Sequence, residues 1–303
     1  MKIVARVCQQ PWFLLLLLGA LWGSGYTLAR FATTHGVSPL GYAFWQCFGP
    51  ALVLFFYLLL RSERIQFKWS YVLYFMLIGF IGIALPNTNM YFSSQYLPAG
   101  MLAIVVNTVP VFIYLLALAV GEERWDIWRV LALLCLCFGL FLLLYPLFHL
   151  HSSDRMSPYW ILISFLSPLL FALTAVFIAN NSQTQNIPVS VLAFGMMLAA
   201  TIWLIPVVLV KSDFYWPGPH WQSRDWAIVG EIILSSVGYI VFFQLLKLAG
   251  SVYYSFVSGV VAIMGVIWGQ LFFNERFSFL DSISMLCIFM ATVTVVLTSL
   301  RRE

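Results

Sequence analysis

The chain has 303 residues, of which 62% are hydrophobic and 9% carry a charged side chain, and its formal net charge is +4. A soluble domain of this length would leave much of that apolar surface facing water, so the composition excludes a water-soluble protein and predicts an all-α membrane protein. The small positive charge says little about nucleic acid, and no nucleic-acid partner is predicted. In a membrane chain, the informative quantity is which loops carry Lys and Arg.

Ten apolar stretches follow one another with short gaps, and each has about the 20 residues that a helix needs to cross a hydrocarbon core of roughly 30 Å. The gaps are too short to hold a soluble domain. The predicted spans 1 to 10 are Pro11 to Thr33, Leu40 to Leu60, Tyr71 to Ser93, Ala99 to Val120, Ile127 to Phe148, Pro158 to Ala179, Val189 to Val210, Ala227 to Leu248, Val252 to Phe273 and Leu280 to Leu300.

Most Lys and Arg residues then fall on the same side as the N-terminus, among them Arg61, Arg124 and Arg301. Cytoplasmic segments carry an excess of these residues. We therefore expect a multi-pass protein of the cell (inner) membrane with both termini in the cytoplasm, and its surroundings are the lipid bilayer.

The stretch from Ala99 to Leu144 consists of an apolar helix, a charged corner at Glu122-Glu123-Arg124 and a second apolar helix, and it recurs further along the chain. Adding 152 to each number places it on Ser251 to Val296, so that Glu123-Arg124 falls on Glu275-Arg276 and Cys135 on Cys287. Recurrence of the same elements in the same order indicates a duplicated unit.

The duplication divides the chain into a first repeat at 1–148, a linker at 149–157 and a second repeat at 158–303. Each repeat holds five predicted spans. Because five is an odd number, the second copy must enter the membrane in the opposite orientation, which predicts two inverted five-helix repeats. Such repeats are typical of secondary transporters, whose substrate site lies near the bilayer midplane between the halves.

Four sequence features now identify a family resemblance: Trp22-Gly23-Ser24 in span 1, the corners Glu123-Arg124 and Glu275-Arg276, and Pro110 in span 4. With them the chain resembles an EamA-type transporter of the drug/metabolite transporter superfamily over nearly its whole length. The resemblance implies a carrier for a metabolite or an amino-acid-like solute, most often an exporter. Its motifs do not specify the substrate, and Ala262 replaces the matching second-half proline.

One acidic residue lies well inside an apolar span. Glu231 in span 8 is followed by Ser235 and Tyr239 at intervals of four, which places the three on one helical face. An acid at membrane depth is costly and is therefore a functional hypothesis by default. Glu231 could bind a substrate amine or carry a coupling proton, or it could lie solvated at the headgroup level near Arg224 and Asp225.

Spans 3 and 4 carry amides beside prolines. Asn87 and Tyr91 lie on one face of span 3 next to Pro86, and Asn107 precedes Pro110 in span 4. A proline frees a backbone carbonyl one turn earlier, so these amides can either repair the helix or contact a ligand. Both uses stay open.

The other candidates are aromatic residues and hydroxyls. Trp22 and Tyr26 in span 1 can pack or form a cavity wall, and Ser255 and Ser258 belong to a small-residue face of span 9 that favours close helix packing. Gln46 and Thr174 are interpreted as interhelical hydrogen bonders. The predicted substrate-binding residues are Trp22, Tyr26, Asn87, Tyr91, Asn107, Ser235, Tyr239, Ser255 and Ser258, with Glu231 as the proton-coupling residue.

No nucleotide-binding loop of the form G-x-x-x-x-G-K-[ST] occurs, and no cofactor, metal ligand or catalytic residue is predicted. His149 and His151 with Asp154 make a poor metal site. The function that we predict is a secondary-active transporter of a small organic solute rather than an enzyme, with coupling to protons through Glu231 as a hypothesis. A passive channel or a non-transporting scaffold is the alternative, and a homodimer stays open.

Overall fold

The computed structural model describes residues 10–61, 68–119, 158–181, 187–274 and 279–300, together with separate residues between 126 and 142. Every regular element among these residues is helical. Seven of the described helices are long and apolar enough to cross a membrane. The corners at Glu122 to Arg124 and at Glu275-Arg276, the predicted linker 149–157 and its two histidines lie outside the described residues.

The described helices are numbered here in chain order, and the described residues between 127 and 142 are helical but receive no number. The numbered helices are α1 (Pro11–Thr34), α2 (Pro39–Arg61), α3 (Trp69–Ser94), α4 (Ala99–Val106), α5 (Val109–Ala119), α6 (Pro158–Ser164), α7 (Leu166–Asn180), α8 (Val189–Lys211), α9 (Ser223–Ser255), α10 (Val257–Phe273) and α11 (Phe279–Leu300).

Three predicted spans are interrupted close to a proline. Span 3 forms α3, whose segment Phe80–Ala84 is π-helical just before Pro86. Span 4 breaks into α4 and α5 at Asn107 and Thr108, and span 6 breaks into α6 and α7 at Phe165, three residues before Pro168. Proline lacks a backbone N–H and its ring crowds the preceding turn, so the ladder of hydrogen bonds cannot continue unchanged.

The connection between predicted spans 8 and 9 is very short. Helix α9 runs from Ser223 through Ser255, with a local interruption at Gly250, where φ is +75° and ψ is 179°. Glycine reaches this region without the steric penalty that a side chain would meet. The chain therefore passes from predicted span 8 to predicted span 9 at Gly250 without a loop.

Helices that correspond at the offset of 152 residues make corresponding contacts with the other part of the chain. Adding 152 to residue numbers carries α1 onto α7, α2 onto α8, α3 onto α9, and α4 with α5 onto α10. Helix α1 packs on α9 and α10, while α7 packs on α3 and α5. Likewise α2 packs on α9, while α8 packs on α3. Equivalent helices thus make equivalent contacts, and the buried core lies where the two parts meet.

Helices α4 and α10 approach closely through the small-residue face that was predicted for span 9. A Cβ atom built on Gly265 would lie 2.2 Å from the Cβ of Ala103, so only a glycine allows this approach. Small residues at helix crossings are typical of membrane proteins. This face therefore packs α10 against α4, as predicted for span 9.

Candidate functional site

A cavity of about 820 Å³, a volume that includes the space at its open side, lies between helices from both parts of the chain. Its apolar wall includes Val106, Val109, Phe171 and Phe242. The side chains that bring polar groups to it are Trp22, Tyr26, Gln46, Asn87, Tyr91, Thr174, Glu231, Ser235, Tyr239, Tyr254, Ser255 and Ser258.

Glu231 lines this cavity and is buried rather than solvated, since only 6% of its surface is exposed. The Ser235 hydroxyl donates a hydrogen bond to its Oε1 (2.8 Å), and the Tyr42 hydroxyl donates one to its Oε2 (3.3 Å). A Cβ built on Gly25 would lie 3.0 Å from Oε2. The bare backbone of α1 at Gly25 therefore makes room for the carboxyl group.

The hydrogen bonds continue from Ser235 across three helices. The Gln46 amide donates to the Ser235 hydroxyl (3.1 Å), and the Asn87 amide donates to Gln46 Oε1 (3.2 Å). Asn87 Nδ2 also lies 3.4 Å from the Tyr239 hydroxyl. We call the six residues from Tyr42 through Glu231, Ser235, Gln46 and Asn87 to Tyr239 the polar chain. It links α2, α3 and α9.

Tyr42 and Gln46 make hydrogen bonds in the polar chain whose partners the sequence did not predict. Gln46 was interpreted only as an interhelical hydrogen bonder, and it both makes such bonds and lines the cavity. Tyr42 was not singled out. The signal was present, because Tyr42 and Gln46 are four residues apart and so share a face of span 2.

Four aromatic rings form a cluster along one wall of the cavity. The Trp22 ring lies 5.8 Å from Tyr239, 5.5 Å from Phe242 and 6.1 Å from Tyr254, measured between ring centroids. Phe242 and Tyr254 are 5.1 Å apart. These are ordinary distances for tilted and edge-on aromatic pairs, so the cluster is a packed apolar surface that faces the cavity.

Several cavity hydroxyls have no hydrogen-bond partner within the part of the chain that the structure describes. They belong to Tyr26, Tyr91 and Tyr254, and all three residues line the cavity. A buried hydroxyl normally finds a partner. These three are therefore available to bond a solute or water.

Asn107 is the predicted site residue that does not line the cavity. It ends α4, and its Oδ1 lies 3.2 Å from the Ser258 hydroxyl, which also donates to the Ser255 carbonyl (2.7 Å). The amide thus lies behind the wall that Ser255 and Ser258 form. All other predicted substrate-binding residues, and Glu231, lie around the cavity.

Other polar residues hold helices together away from the cavity. The Asn89 amide donates to the Ile163 carbonyl (2.9 Å) and the Ser167 hydroxyl (2.8 Å), which ties α3 to α6 and α7. Arg30 donates to the Leu97 carbonyl, and Lys247 donates to the Ile187 carbonyl. Among the described residues, no group of three or more His, Cys, Asp or Glu could hold a metal ion.

The segment between α8 and α9, residues 212–222, is bound to the α1–α2 corner. Ser38 donates to the Asp213 carbonyl (2.8 Å), and Arg224, just after the segment, donates to the His35 carbonyl (2.8 Å). The Tyr215 hydroxyl donates to Asp225 Oδ1 (2.6 Å). Burial and this carboxylate raise the pKa of Tyr215, so the hydroxyl keeps its proton and remains a donor.

These features together define a multi-pass integral membrane protein with a polar, aromatic-lined cavity enclosed by helices. Residues 10–145 and 158–297 match the model of the EamA-like transporter family. The match covers most of the sequence, so the chain belongs to this family and is a membrane transporter. The two matched segments indicate duplicated halves.

Similar proteins agree with this assignment. An uncharacterized transporter of Bacillus subtilis (strain 168), YoaV, is 22% identical over 289 residues, which are 90% of this chain and 94% of the relative. An uncharacterized transporter of Archaeoglobus fulgidus is 22% identical over 138 residues, which are 46% of this chain and 49% of that protein. A solved crystal structure that is 15% identical has a TM-score of 0.65 over 95% of this chain and 98% of its own, and it supports the fold alone.

Proposed function

We propose that the protein is a secondary-active transporter that moves a small organic solute by alternating access, with the cavity as the solute site. The observation that carries the proposal is the polar chain, because five of its six residues line the cavity and it joins helices of both halves through Gln46, Asn87 and Ser235. Rocking of one half against the other would break and remake these bonds. A site between repeats is typical of such carriers.

Two inverted five-helix repeats are part of the proposal, with boundaries at 1–148 and 158–303. Cys135 Sγ lies 3.4 Å from the Cys287 carbonyl, and these positions are 152 residues apart. Positions that touch their own repeat equivalents lie close to the axis that relates the halves. Because each half has an odd number of spans, the two halves must enter the membrane in opposite orientations. The predicted excess of Lys and Arg on the N-terminal side supports both termini in the cytoplasm, with the protein in the cell (inner) membrane.

The proposed solute is metabolite-like or amino-acid-like, because the cavity combines hydroxyls, amides and aromatic rings. Export is the direction that the family resemblance implies. A phosphorylated solute would need several basic side chains. The main candidate for such a role, Lys247, donates to the Ile187 carbonyl and is not among the described residues that line the cavity.

Proton coupling through Glu231 extends the proposal. The carboxyl group is buried and touches two hydroxyl donors. Without a counter-charge, a buried carboxylate is costly, so a proton that arrives and leaves is a natural partner. Glu231→Gln in proteoliposomes should abolish uptake that is driven by a pH gradient. Unchanged gradient-driven uptake would rule out this role.

The transport proposal is tested in two stages. A thermal-shift screen of the purified protein against amino acids, amines, organic acids and sugars should identify solutes that raise its unfolding temperature, since a ligand that prefers the folded state stabilises it. Each such solute is then loaded into proteoliposomes. We expect saturable counterflow of at least one, whereas flux without counterflow would indicate a channel and no flux would indicate a non-transporting scaffold.

A further inference from the structure

The charges around the cavity are unbalanced. Among the described residues that line it, Glu231 is the acidic residue, and the lining contains no Lys, Arg or His. The described cations at the ends of neighbouring helices are engaged elsewhere. Arg30 contacts the Leu97 carbonyl and the Phe273 ring, and Arg224 binds the His35 carbonyl. The Glu231 carboxylate therefore has no basic partner in the described part of the chain.

Glu231 also has unused capacity to accept hydrogen bonds. An ionised carboxylate offers about four acceptor sites. Ser235 and Tyr42 occupy one site on each oxygen. Oε2 faces the open backbone of Gly25, which itself lines the cavity. A solute with N–H donors can reach the remaining sites from the cavity.

The aromatic cluster lies further along the same helix. Tyr239 follows Glu231 by eight residues, which is roughly 12 Å along a helix axis. Trp22, Phe242 and Tyr254 pack around Tyr239 or around one another at centroid distances between 5.1 Å and 6.1 Å. This surface suits an apolar body, and the faces of its rings attract a cation.

We propose that the cavity takes its solute as an organic cation, a protonated amine whose ammonium group binds Glu231 and whose aromatic or aliphatic body lies on the Trp22–Tyr239–Phe242–Tyr254 cluster. This rests on the proposed transport function, because it names the substrate class of the same cavity. The ammonium supplies the counter-charge that Glu231 lacks. An anionic solute would meet an uncompensated like charge in a low-dielectric site and is excluded.

A proton and the ammonium group of the solute would bind the same carboxylate, that of Glu231. The carboxylate can be neutralised by a proton or by the ammonium group, and one site does not favour both at once. The two positive charges therefore compete for Glu231. Exchange of the amine against protons follows from this competition.

The test uses three probes that share a ring and differ in charge: 2-phenylethylamine, 2-phenylethanol and 3-phenylpropanoate. Their binding to the purified full-length protein is measured by isothermal titration calorimetry at neutral pH. We expect the amine to bind at least about tenfold more tightly than the alcohol, because its hydrogen bond to the carboxylate is assisted by charge. We expect no binding of the carboxylate probe.

Two variants distinguish the effect of the Glu231 carboxyl group from that of the Asp225 carboxyl group on the same helix. Glu231→Gln should remove the preference for the amine, so that the amine and the alcohol bind this variant with similar affinity, and measurable binding of the alcohol shows that the cavity is intact. Asp225→Asn is the matched control, because Asp225 is a buried carboxyl group that bonds Tyr215 and the Gln222 backbone outside the cavity. This variant should keep the full preference for the amine.

The cation assignment is overturned if the amine does not bind at millimolar concentration, binds no more tightly than the alcohol, or binds equally well to Glu231→Gln. Its failure is distinguishable from failure of the transport proposal. Counterflow of a neutral or zwitterionic solute that is unaffected by Glu231→Gln would refute the cation assignment and leave transport intact. Amine binding that depends on Glu231, without flux of any solute, would refute transport and leave the cation site intact.

Discussion

Asn87 Nδ2 lies 3.4 Å from the hydroxyl of Tyr239, and the two residues are 152 positions apart, which is the offset between the two proposed repeats. In that arrangement, a contact between equivalent positions lies close to the axis that relates the halves. Asn107 behaves in the same way, since a Cβ built on its equivalent, Gly259, would lie 3.9 Å from Asn107 Oδ1. In the proposed arrangement the polar chain therefore lies near that axis at Asn87, where an amide of one repeat faces a phenol of the other.

Asn87→Ala is expected to lower transport at unchanged membrane abundance. The variant removes the amide that bonds both Gln46 and Tyr239 and therefore interrupts the polar chain between α2 and α9. Loss of a buried hydrogen-bond partner costs about 1–3 kcal/mol, so we expect roughly a tenfold or larger decrease in the initial rate of counterflow.

The matched control for Asn87 is Asn89→Ala. Asn89 lies on the same helix and makes two hydrogen bonds of its own, but it bonds Ile163 and Ser167 and does not line the cavity. We expect this variant to lower the unfolding temperature and to retain solute affinity. Equal loss of solute affinity in both variants would argue against a solute role for Asn87.

Gly25→Ala is expected to weaken solute binding without weakening the fold. The new methyl group would lie 3.0 Å from Glu231 Oε2, so the carboxylate must shift by a few tenths of an ångström away from its present position. Alanine is itself favoured over glycine inside a helix by about 0.5–1 kcal/mol. We therefore expect a several-fold higher KM, roughly 1 kcal/mol of lost binding, and an unfolding temperature that is not reduced.

Gly230→Ala is the comparison for Gly25. Its added Cβ would lie 3.2 Å from Leu28 Cδ1, the end of a flexible side chain that can move aside. This variant should keep the parent KM. A KM that rises equally in both variants would show that any added methyl group perturbs the bundle, and the argument for Gly25 as the space for Glu231 would fail.

The long helices could be predicted from the sequence, because apolar length alone decides whether a helix can span a bilayer. Spans 1, 2 and 7 match α1, α2 and α8 closely. The interruption of span 3 by a π-helical segment, and the complete break of span 4 before Pro110, depend on how each helix accommodates its proline. Sequence patterns mark the proline but not the form of the break.

The site was predictable where one helix presents its residues in a stripe, as Glu231, Ser235 and Tyr239 do. It was less predictable where partners come from different helices. The hydrogen bond from Tyr42 to Glu231 joins residues 189 positions apart. The face that Tyr42 shares with Gln46 in span 2 marks Tyr42 as a candidate, but it does not indicate that Glu231 is its partner. Asn107 shows a further limit, since its place beside Pro110 left cavity contact and helix repair open, and in the structure its Oδ1 accepts a hydrogen bond from Ser258.

Gly49→Ala is expected to destabilise the crossing of α2 and α9. A Cβ at this position would lie 2.4 Å from Ile232 Cγ1 and 2.5 Å from its Cδ1, so the helices must separate or the isoleucine must leave its rotamer. Overpacking of this kind costs about 1–3 kcal/mol. The measurement is the apparent unfolding temperature in detergent, which should fall by several degrees.

The same close contact predicts a rescue. Ile232→Ala removes the atoms that the new methyl group would meet, so the double variant Gly49→Ala, Ile232→Ala should be more stable than the sum of the two single changes implies. An additive result would mean that the cost of Gly49→Ala arises elsewhere, and the close approach at this crossing would not be its cause.

Arg224→Gln is expected to loosen the segment 212–222 on the predicted outer face. Arg224 donates to the His35 carbonyl (2.8 Å) and lies over the Tyr215 ring, with the guanidinium carbon 5.7 Å from the ring centroid. Val37 lies in this corner and is only 1% exposed. The measurement is the rate at which a membrane-impermeant maleimide labels a cysteine introduced as Val37→Cys. This rate should rise a few-fold when Arg224 is replaced, because the hydrogen bond from Arg224 to the His35 carbonyl stabilises the closed segment by about 1 kcal/mol.

The control for Arg224 is Lys211→Gln, which removes an exposed positive charge at the end of α8. It changes the net charge near the segment by the same amount, so any general effect of charge on the reagent appears in both variants. Labelling of the parent chain without Val37→Cys is subtracted, since the described natural cysteines include Cys47 and Cys287. Equal rates in the Arg224 and Lys211 variants would show that the bond to His35 does not hold the segment closed.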